Sequence, residues 1–163
     1  MTADVVIRRA RAADADAISR LIAVFADDAL MLRRTPEMVE LAIDDYVVAV
    51  NRRGGIVACG ALKEYSPSVA EIAAIAVSSD VHGRGVGKAI VAAVERLALK
   101  RGIYDVFALT LQPAFFAAIG YHRVDRARYP EKIRRDCLAC ARRFACNEIC
   151  FAKNLRIEAR AAA

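Results

Sequence analysis

No uninterrupted apolar run in this 163-residue chain approaches the ~20 residues that a membrane-spanning helix requires. That holds although 57% of the residues are apolar and the mean hydropathy is +0.28. The N-terminal stretch MTADVVIRRARAADADAI is charged and lacks the apolar core of a secretory signal. Internal repeats, low-complexity tracts and linkers are missing too, so the length suits a single domain, 1–163, with one normal core. There is no long basic helix or arm, and aromatics are not interleaved with charge as on a base-stacking platform. Lys and Arg number 25 against 19 Asp and Glu, for a net charge of +6. The basic residues fall in scattered pairs: Arg8-Arg9, Arg33-Arg34, Arg52-Arg53, Arg134-Arg135 and Arg142-Arg143. The surplus therefore suits a small anionic ligand or an Arg-rich solvated surface. The expectation is a cytoplasmic protein with no membrane and no nucleic-acid partner.

What is present reads as alternating short elements. DVVIRRA is a first strand. In the following helix Ile18, Leu21, Ile22 and Phe25 share one face, with Asp14 as its N-cap. Thr35-Pro36-Glu37 is a helix-start signal for a short helix over 36–44, because Pro suits the first helical position. YVVAVNRRGGIVACGALKEY is a hairpin turning at 51–55, and AEIAAIAVSS is a further strand, apolar enough to be central. A glycine loop follows, then a helix with Ile90, Val94 and Leu97 at helical spacing, ended by Lys100-Arg101-Gly102. YDVFALTL (a strand), PAFFAAIG (a short helix closed by Gly120), YHRVDRARY (a strand), an irregular Cys-containing segment and NEICFAKNL (a strand) complete the chain. This order predicts an α/β (α+β) fold, with a mixed, mostly antiparallel central sheet and helices on both faces.

The loop VHGRGVGKAI, 81–90, invites a phosphate-binding reading. A Walker A loop requires Ser or Thr after the Lys, yet Ala89 follows Lys88, and Gly83 stands one position too close to Gly87. A dinucleotide fingerprint requires G-x-G-x-x-G at the first βα turn, whereas this loop reads G-x-G-x-G after the fourth predicted strand. The remaining pattern is [QR]-x-x-G-x-[GA] between a strand and a helix, with Gly85 and Gly87 as its two glycines. Across EIAAIAVSSDVHGRGVGKAI the chain resembles the GNAT superfamily of N-acetyltransferases, which use acetyl-CoA as co-substrate. Glycines let the backbone approach a diphosphate, and a helix N-terminus turns unpaired N–H groups and partial positive charge toward it.

The resemblance implies that His82, Gly83, Arg84, Gly85, Val86, Gly87 and Lys88 hold the diphosphate of CoA, with His82 standing where the family usually has Gln or Arg. It implies that pantetheine lies along Ile75, Ala76 and Val77, and that a main-chain N–H near Val77 stabilises the oxyanion as a neutral amine attacks the thioester. Glu71 is either the base that deprotonates the amine, directly or through water, or an ordinary cross-strand charge. Many relatives protonate the departing thiolate with a Tyr in the short helix after the next strand; here that position is Phe116.

A narrower resemblance lies in FALT, FFAAIGY, PEKIRRDCLAC and CNEI. From the hairpin to about residue 152 the chain is similar to bacterial amino-acid N-acetyltransferases of the N-acetylglutamate synthase type, in a short form without a kinase domain. The acceptor implied is a small-molecule amine, L-glutamate first, with Arg33, Arg34, Lys63 and Thr110 as candidate contacts, since bidentate Arg suits carboxylates. Rival readings are a peptide or protein N-acetyltransferase and a non-catalytic CoA-binding or Cys-metal sensor module. A homodimer is compatible with all of them. Cys137, Cys140, Cys146 and Cys150 form C-x2-C-x5-C-x3-C. Reduced thiols packing an irregular segment, with no metal, are the reading adopted; a structural zinc site is the alternative. Cys59, alone in an apolar strand, is a core residue.

Overall fold

A computed structural model describes residues 4–161. Its strands are β1 (Val5–Arg9), β2 (Tyr46–Asn51), β3 (Ile56–Ser66), β4 (Val69–Val77), β5 (Asp105–Thr110), β6 (His122–Arg123) and β7 (Ile149–Asn154). The helices are α1 (Ala15–Asp27), α2 (Pro36–Leu41), α3 (Val86–Lys100), α4 (Pro113–Ala118), α5 (Pro130–Lys132) and α6 (Leu155–Ala161), and α5 runs on into a π-helical turn, Ile133–Cys137. The strands form one sheet in the order β1-β2-β3-β4-β5-β7-β6. β4 and β5 are parallel, whereas β1–β2, β2–β3, β5–β7 and β6–β7 are antiparallel. The mixed, mostly antiparallel sheet is as expected. No helix among the described residues is long and apolar enough to cross a membrane.

The chain forms two compact units, and β3 and β4 each contribute to both. The first runs to Lys63 and adds Ile72–Leu97; the second comprises Glu64–Glu71 and the chain from Ala98.

In the first unit, Ile18 and Ile22 of α1 are fully buried among Val39, Tyr46, Val48 and Cys59, with Leu21 and Phe25 packed at the margin. Each such side chain stabilises the fold by about 1.5–3 kcal/mol relative to its exposed state. Thr35 caps α2 as expected, its Oγ1 accepting from Met38 N at 3.2 Å with Pro36 at the first turn. The helix ends at Leu41, and a 3₁₀ turn, Ile43–Asp45, completes the stretch expected to be helical to 44. Asp14 stands at the N-cap position of α1 as expected, but its side chain makes no capping hydrogen bond. Its carboxylate is taken by Arg8 in a two-pronged pair (2.7 and 3.0 Å) and by the N–H of Arg11 (2.7 Å). The hairpin turn is held by Asn51, whose Oδ1 accepts from Arg53 N (3.0 Å) and Gly55 N (2.9 Å). On β3, a Cβ at Gly60 would lie 2.6 Å from Ile75 and 2.7 Å from Ile90, so the missing side chain lets both pack over this strand.

The second unit is centred on β5. Phe107 is 1% exposed and stacks on Tyr129, ring centroids 4.0 Å apart, while the Tyr129 hydroxyl donates to Asp105 at 3.0 Å. The strand expected over 121–129 shrinks to His122–Arg123. Asp125 accepts from Ala127 N at 2.8 Å and turns the chain into a 3₁₀ turn, Arg126–Arg128. The segment expected to be irregular starts as a helix at Pro130, and Cys150 is buried within β7.

Gly60→Ala must displace Ile75 and Ile90, and is expected to cost about 1–3 kcal/mol of stability in urea unfolding; an unchanged midpoint would show that β3 has room. Hydrogen bonding from Arg8 holds the Asp14 carboxyl below its ordinary range. Its contribution is therefore present above about pH 4 and is lost as pH falls through the lowered value. Asp14→Asn should destabilise at pH 7, and the gap from the natural protein should narrow in acid.

Candidate active site

In the first unit, β4 leads into the glycine loop. Ser78 N donates to Val57 O at 2.8 Å, and a 3₁₀ turn, Ser79–Val81, anchors on buried Val81. Gly83 and Gly85 have φ of +71° and +76°, and an added Cβ would meet nothing within 4 Å at either. Glycine is thus required there by backbone conformation, not by lack of space. Val86, 2% exposed, seats the first turn of the 15-residue α3, which includes Gly87, while Arg84 and Lys88 stay exposed. A helix of this length presents main-chain N–H groups and partial positive charge at its start. His82 Nε2 lies 2.7 Å from Val77 O, so its ring ties the loop to the end of β4.

β4 itself is distorted. Ala74 has φ +53°, a left-handed conformation that costs a non-glycine residue roughly 1–2 kcal/mol. The Cys59 thiol donates to Ala74 O at 3.4 Å; it is fully buried, and burial pushes its pKa up to about 12. Ile75 and Val77 are half-buried and Ala76 is buried. Nothing in the apolar pattern of AEIAAIAV signals the distortion.

In the second unit, Glu71 is 6% exposed. Its Oε2 accepts from the Tyr65 hydroxyl (2.9 Å) and from Lys132 Nζ (2.9 Å). Lys132 also donates to Asp136 Oδ2 at 3.1 Å, and the Tyr65 hydroxyl hydrogen-bonds to that same oxygen. Burial works against the Lys132 ammonium, but Glu71 and then Asp136 outweigh it and raise its pKa. Burial, followed by Glu71, raises that of Tyr65. Sequence reasoning missed Tyr65, Lys132 and Asp136. Tyr129-Pro130 was a readable helix start, and it sets Lys132 and Asp136 four residues apart on one face. A cleft of about 500 Å³ borders Tyr65, where Arg101 is paired with Glu64 at 2.8 Å and Arg135 lies 4.9 Å over the Tyr65 ring.

The four expected acceptor contacts differ in their local surroundings. Arg33 is exposed and paired with exposed Asp27. Arg34 is half-buried; its carbonyl accepts from Ser19 Oγ at 2.7 Å, and its charge opposes the burial that raises the Tyr46 and Cys59 pKa values to about 12. The adjacent pair thus differs: Arg33 is exposed and ion-paired, and Arg34 is half-buried. Lys63 is half-buried near the end of β3. Thr110 is 7% exposed, and its Oγ1 accepts from Gln112 N at 2.8 Å, a turn-forming contact at the end of β5. Phe116 packs edge-on against Tyr121, centroids 5.1 Å apart.

Cys137, Cys140 and Cys146 are half-buried and carry free thiols. Arg126 donates to Cys146 Sγ at 3.4 Å and to Glu148 O at 2.9 Å. No group of three or more His, Cys, Asp or Glu side chains among the described residues is arranged to hold a metal ion.

Comparison with known proteins agrees with this architecture. Residues 14–125 match the acetyltransferase (GNAT) family. An uncharacterized N-acetyltransferase of Chlorobaculum tepidum is 38% identical, over 94% of this chain and 98% of its own length. The amino-acid acetyltransferase of Mycobacterium tuberculosis is 33% identical, over 74% of this chain and 70% of its own. Among solved structures, N-acetylglutamate synthase of Neisseria gonorrhoeae, complexed with coenzyme A and N-acetyl-glutamate, superposes with a TM-score of 0.83 at 27% identity. That match covers 95% of this chain but only 36% of the Neisseria chain. A strand, a glycine loop and a helix start in the required order, together with these matches, establish that the chain belongs to the GNAT family and is an acetyl-CoA-dependent N-acetyltransferase.

Proposed function

We propose that this enzyme acetylates the α-amine of a small amino acid, with L-glutamate as first choice, making N-acetylglutamate at the head of arginine synthesis. The reading places it in the cytoplasm, where free amino acids and acetyl-CoA are both at hand. Its main support is the loop in which two left-handed glycines, Gly83 and Gly85, open a long helix directly after β4. Main-chain N–H groups from Gly83 to Lys88 would grip the CoA diphosphate, with Arg84 and Lys88 adding charge. Pantetheine would lie along Ile75–Val77, leaving a main-chain N–H at Val77 to meet the oxyanion.

The amine attacks the thioester carbon, the C–S bond breaks, and CoA leaves as its thiolate. Phe116 offers no proton, so water supplies it. Glu71 takes the proton that the amine gives up. For the acceptor, the names of the relatives favour an amino acid, and the N-acetyl-glutamate bound by the Neisseria synthase favours glutamate. Arg34, half-buried, is the stronger candidate to hold a carboxylate; Arg33 is exposed and already paired with Asp27. Lys63 and Thr110 are secondary contacts.

Mass spectrometry of free amino acids and a peptide mixture incubated with acetyl-CoA should yield N-acetylglutamate. Acetylated peptide without acetylated glutamate would overturn the specificity. Glu71→Gln should lower kcat by roughly 10²- to 10⁴-fold with CoA binding unchanged. Arg34→Ala should raise KM for the amino acid far more than Arg33→Ala does; equal effects would remove Arg34 from the acceptor site.

A further inference from the structure

The Pro130–Cys140 stretch has no part in the chemistry so far, yet it delivers Lys132 and Asp136 to Glu71. We infer that Tyr65 and Asp136, held by Lys132, form a proton relay behind Glu71 that carries the amine's proton away; this rests on Glu71 being the base.

Counting hydrogens leads there. Four polar atoms, Glu71 Oε2, Tyr65 Oη, Asp136 Oδ2 and Lys132 Nζ, make four contacts in a closed ring. Lys132 supplies a hydrogen to each carboxylate. Tyr65 has one hydrogen and faces both carboxylates, so with both ionised one of these two contacts lacks a hydrogen. One added proton gives each of them a hydrogen, which matters in a buried site where an unmade bond is costly. The ring is built with room for one more proton.

The movement balances. The amine N–H bond breaks, and a proton arrives at Glu71 Oε2, directly or through water. It passes to the Tyr65 oxygen as Tyr65 gives its own hydrogen to Asp136 Oδ2. Asp136, with its side chain 27% exposed, releases the proton to water, and Glu71 is again a carboxylate. Lys132 moves no proton. It is the positioning residue that keeps two carboxylates on one hydroxyl, and its side chain is 13% exposed. The π-helical turn, closed by Leu138 N donating to Ile133 O at 3.0 Å, directly follows Lys132 and contains Asp136. Such turns recur at functional sites. Ionisable groups facing the ring include Arg135 and Cys137 from this turn, Cys150 from β7, and Tyr129, which packs in the same cluster as Tyr65.

Carboxyl carbon NMR of the labelled enzyme, with signals assigned from Glu71→Gln and Asp136→Asn, tests the shared proton without any acceptor. Glu71 and Asp136 should shift together over one pH interval, and Tyr65→Phe should make them titrate separately. Independent titration in the natural protein, or coupling that survives Tyr65→Phe, overturns the relay. With acetyl-CoA and L-glutamate, Tyr65→Phe and Asp136→Asn should each lower kcat about tenfold or more and shift its pH profile. CoA affinity should hold, and Asp136→Glu should restore part of the rate. Full loss in Glu71→Gln, with Tyr65→Phe and Asp136→Asn unaffected, discards the relay and keeps the base. An undiminished Glu71→Gln discards the base, and the NMR coupling still decides whether the ring shares a proton.

Discussion

A carboxylate buried on a strand is costly unless a cation is brought to it, and here the cation comes from 61 residues further along the chain. The Lys132–Glu71 pair is the constraint around which the second unit is built. Phe107 offers its ring face to Tyr129, Asp105 accepts the Tyr129 hydroxyl, and Pro130 starts the helix at the next residue. Two residues on, Lys132 reaches Glu71, and four beyond that Asp136 closes the ring with Tyr65. Each step is ordinary packing or hydrogen bonding, and together they bring an ammonium and two carboxylates to one phenol.

The first unit makes a different use of the backbone. Its distinctive groups are main-chain atoms in uncommon conformations: Ala74 on β4, and Gly83 and Gly85 in the loop. The two glycines adopt theirs at little steric cost, whereas Ala74 carries strain that the surrounding packing must hold. Cys59 meets its carbonyl from β3, and Gly60 lets Ile75 and Ile90 settle over the same strand. A left-handed residue within a strand redirects the main-chain groups beside it.

Charge is divided in a similar way between structure and chemistry. The net +6 first read as a surplus for anions is partly committed within the fold: Arg8 to Asp14, Arg101 to Glu64, Arg126 to Glu148 O. Arg84 and Lys88, beside the helix start, are exposed, and Arg34 lies half-buried. In the cysteine-rich segment, Arg126 donates to Cys146 Sγ and to Glu148 O, and Cys150 is buried within β7.

Much of the protein was legible before any coordinates. Apolar spacing located α1 and α3, Thr35-Pro36 located α2, and the glycines of 83–87 located the loop that opens α3. These signals are local: helical periodicity, capping and left-handed φ preference act over a few residues, so a sequence alone determines them. What decided the rest was the meeting of distant segments. That the Asp14 side chain turns to Arg8 and not to the N–H groups of α1, that Ala74 is strained and that Glu71 and Asp136 share Tyr65 and Lys132 all depend on which strands and turns pack together. Side-chain pairing over such separations is set by tertiary packing, because the chain between the partners leaves no periodic trace of the contact it closes.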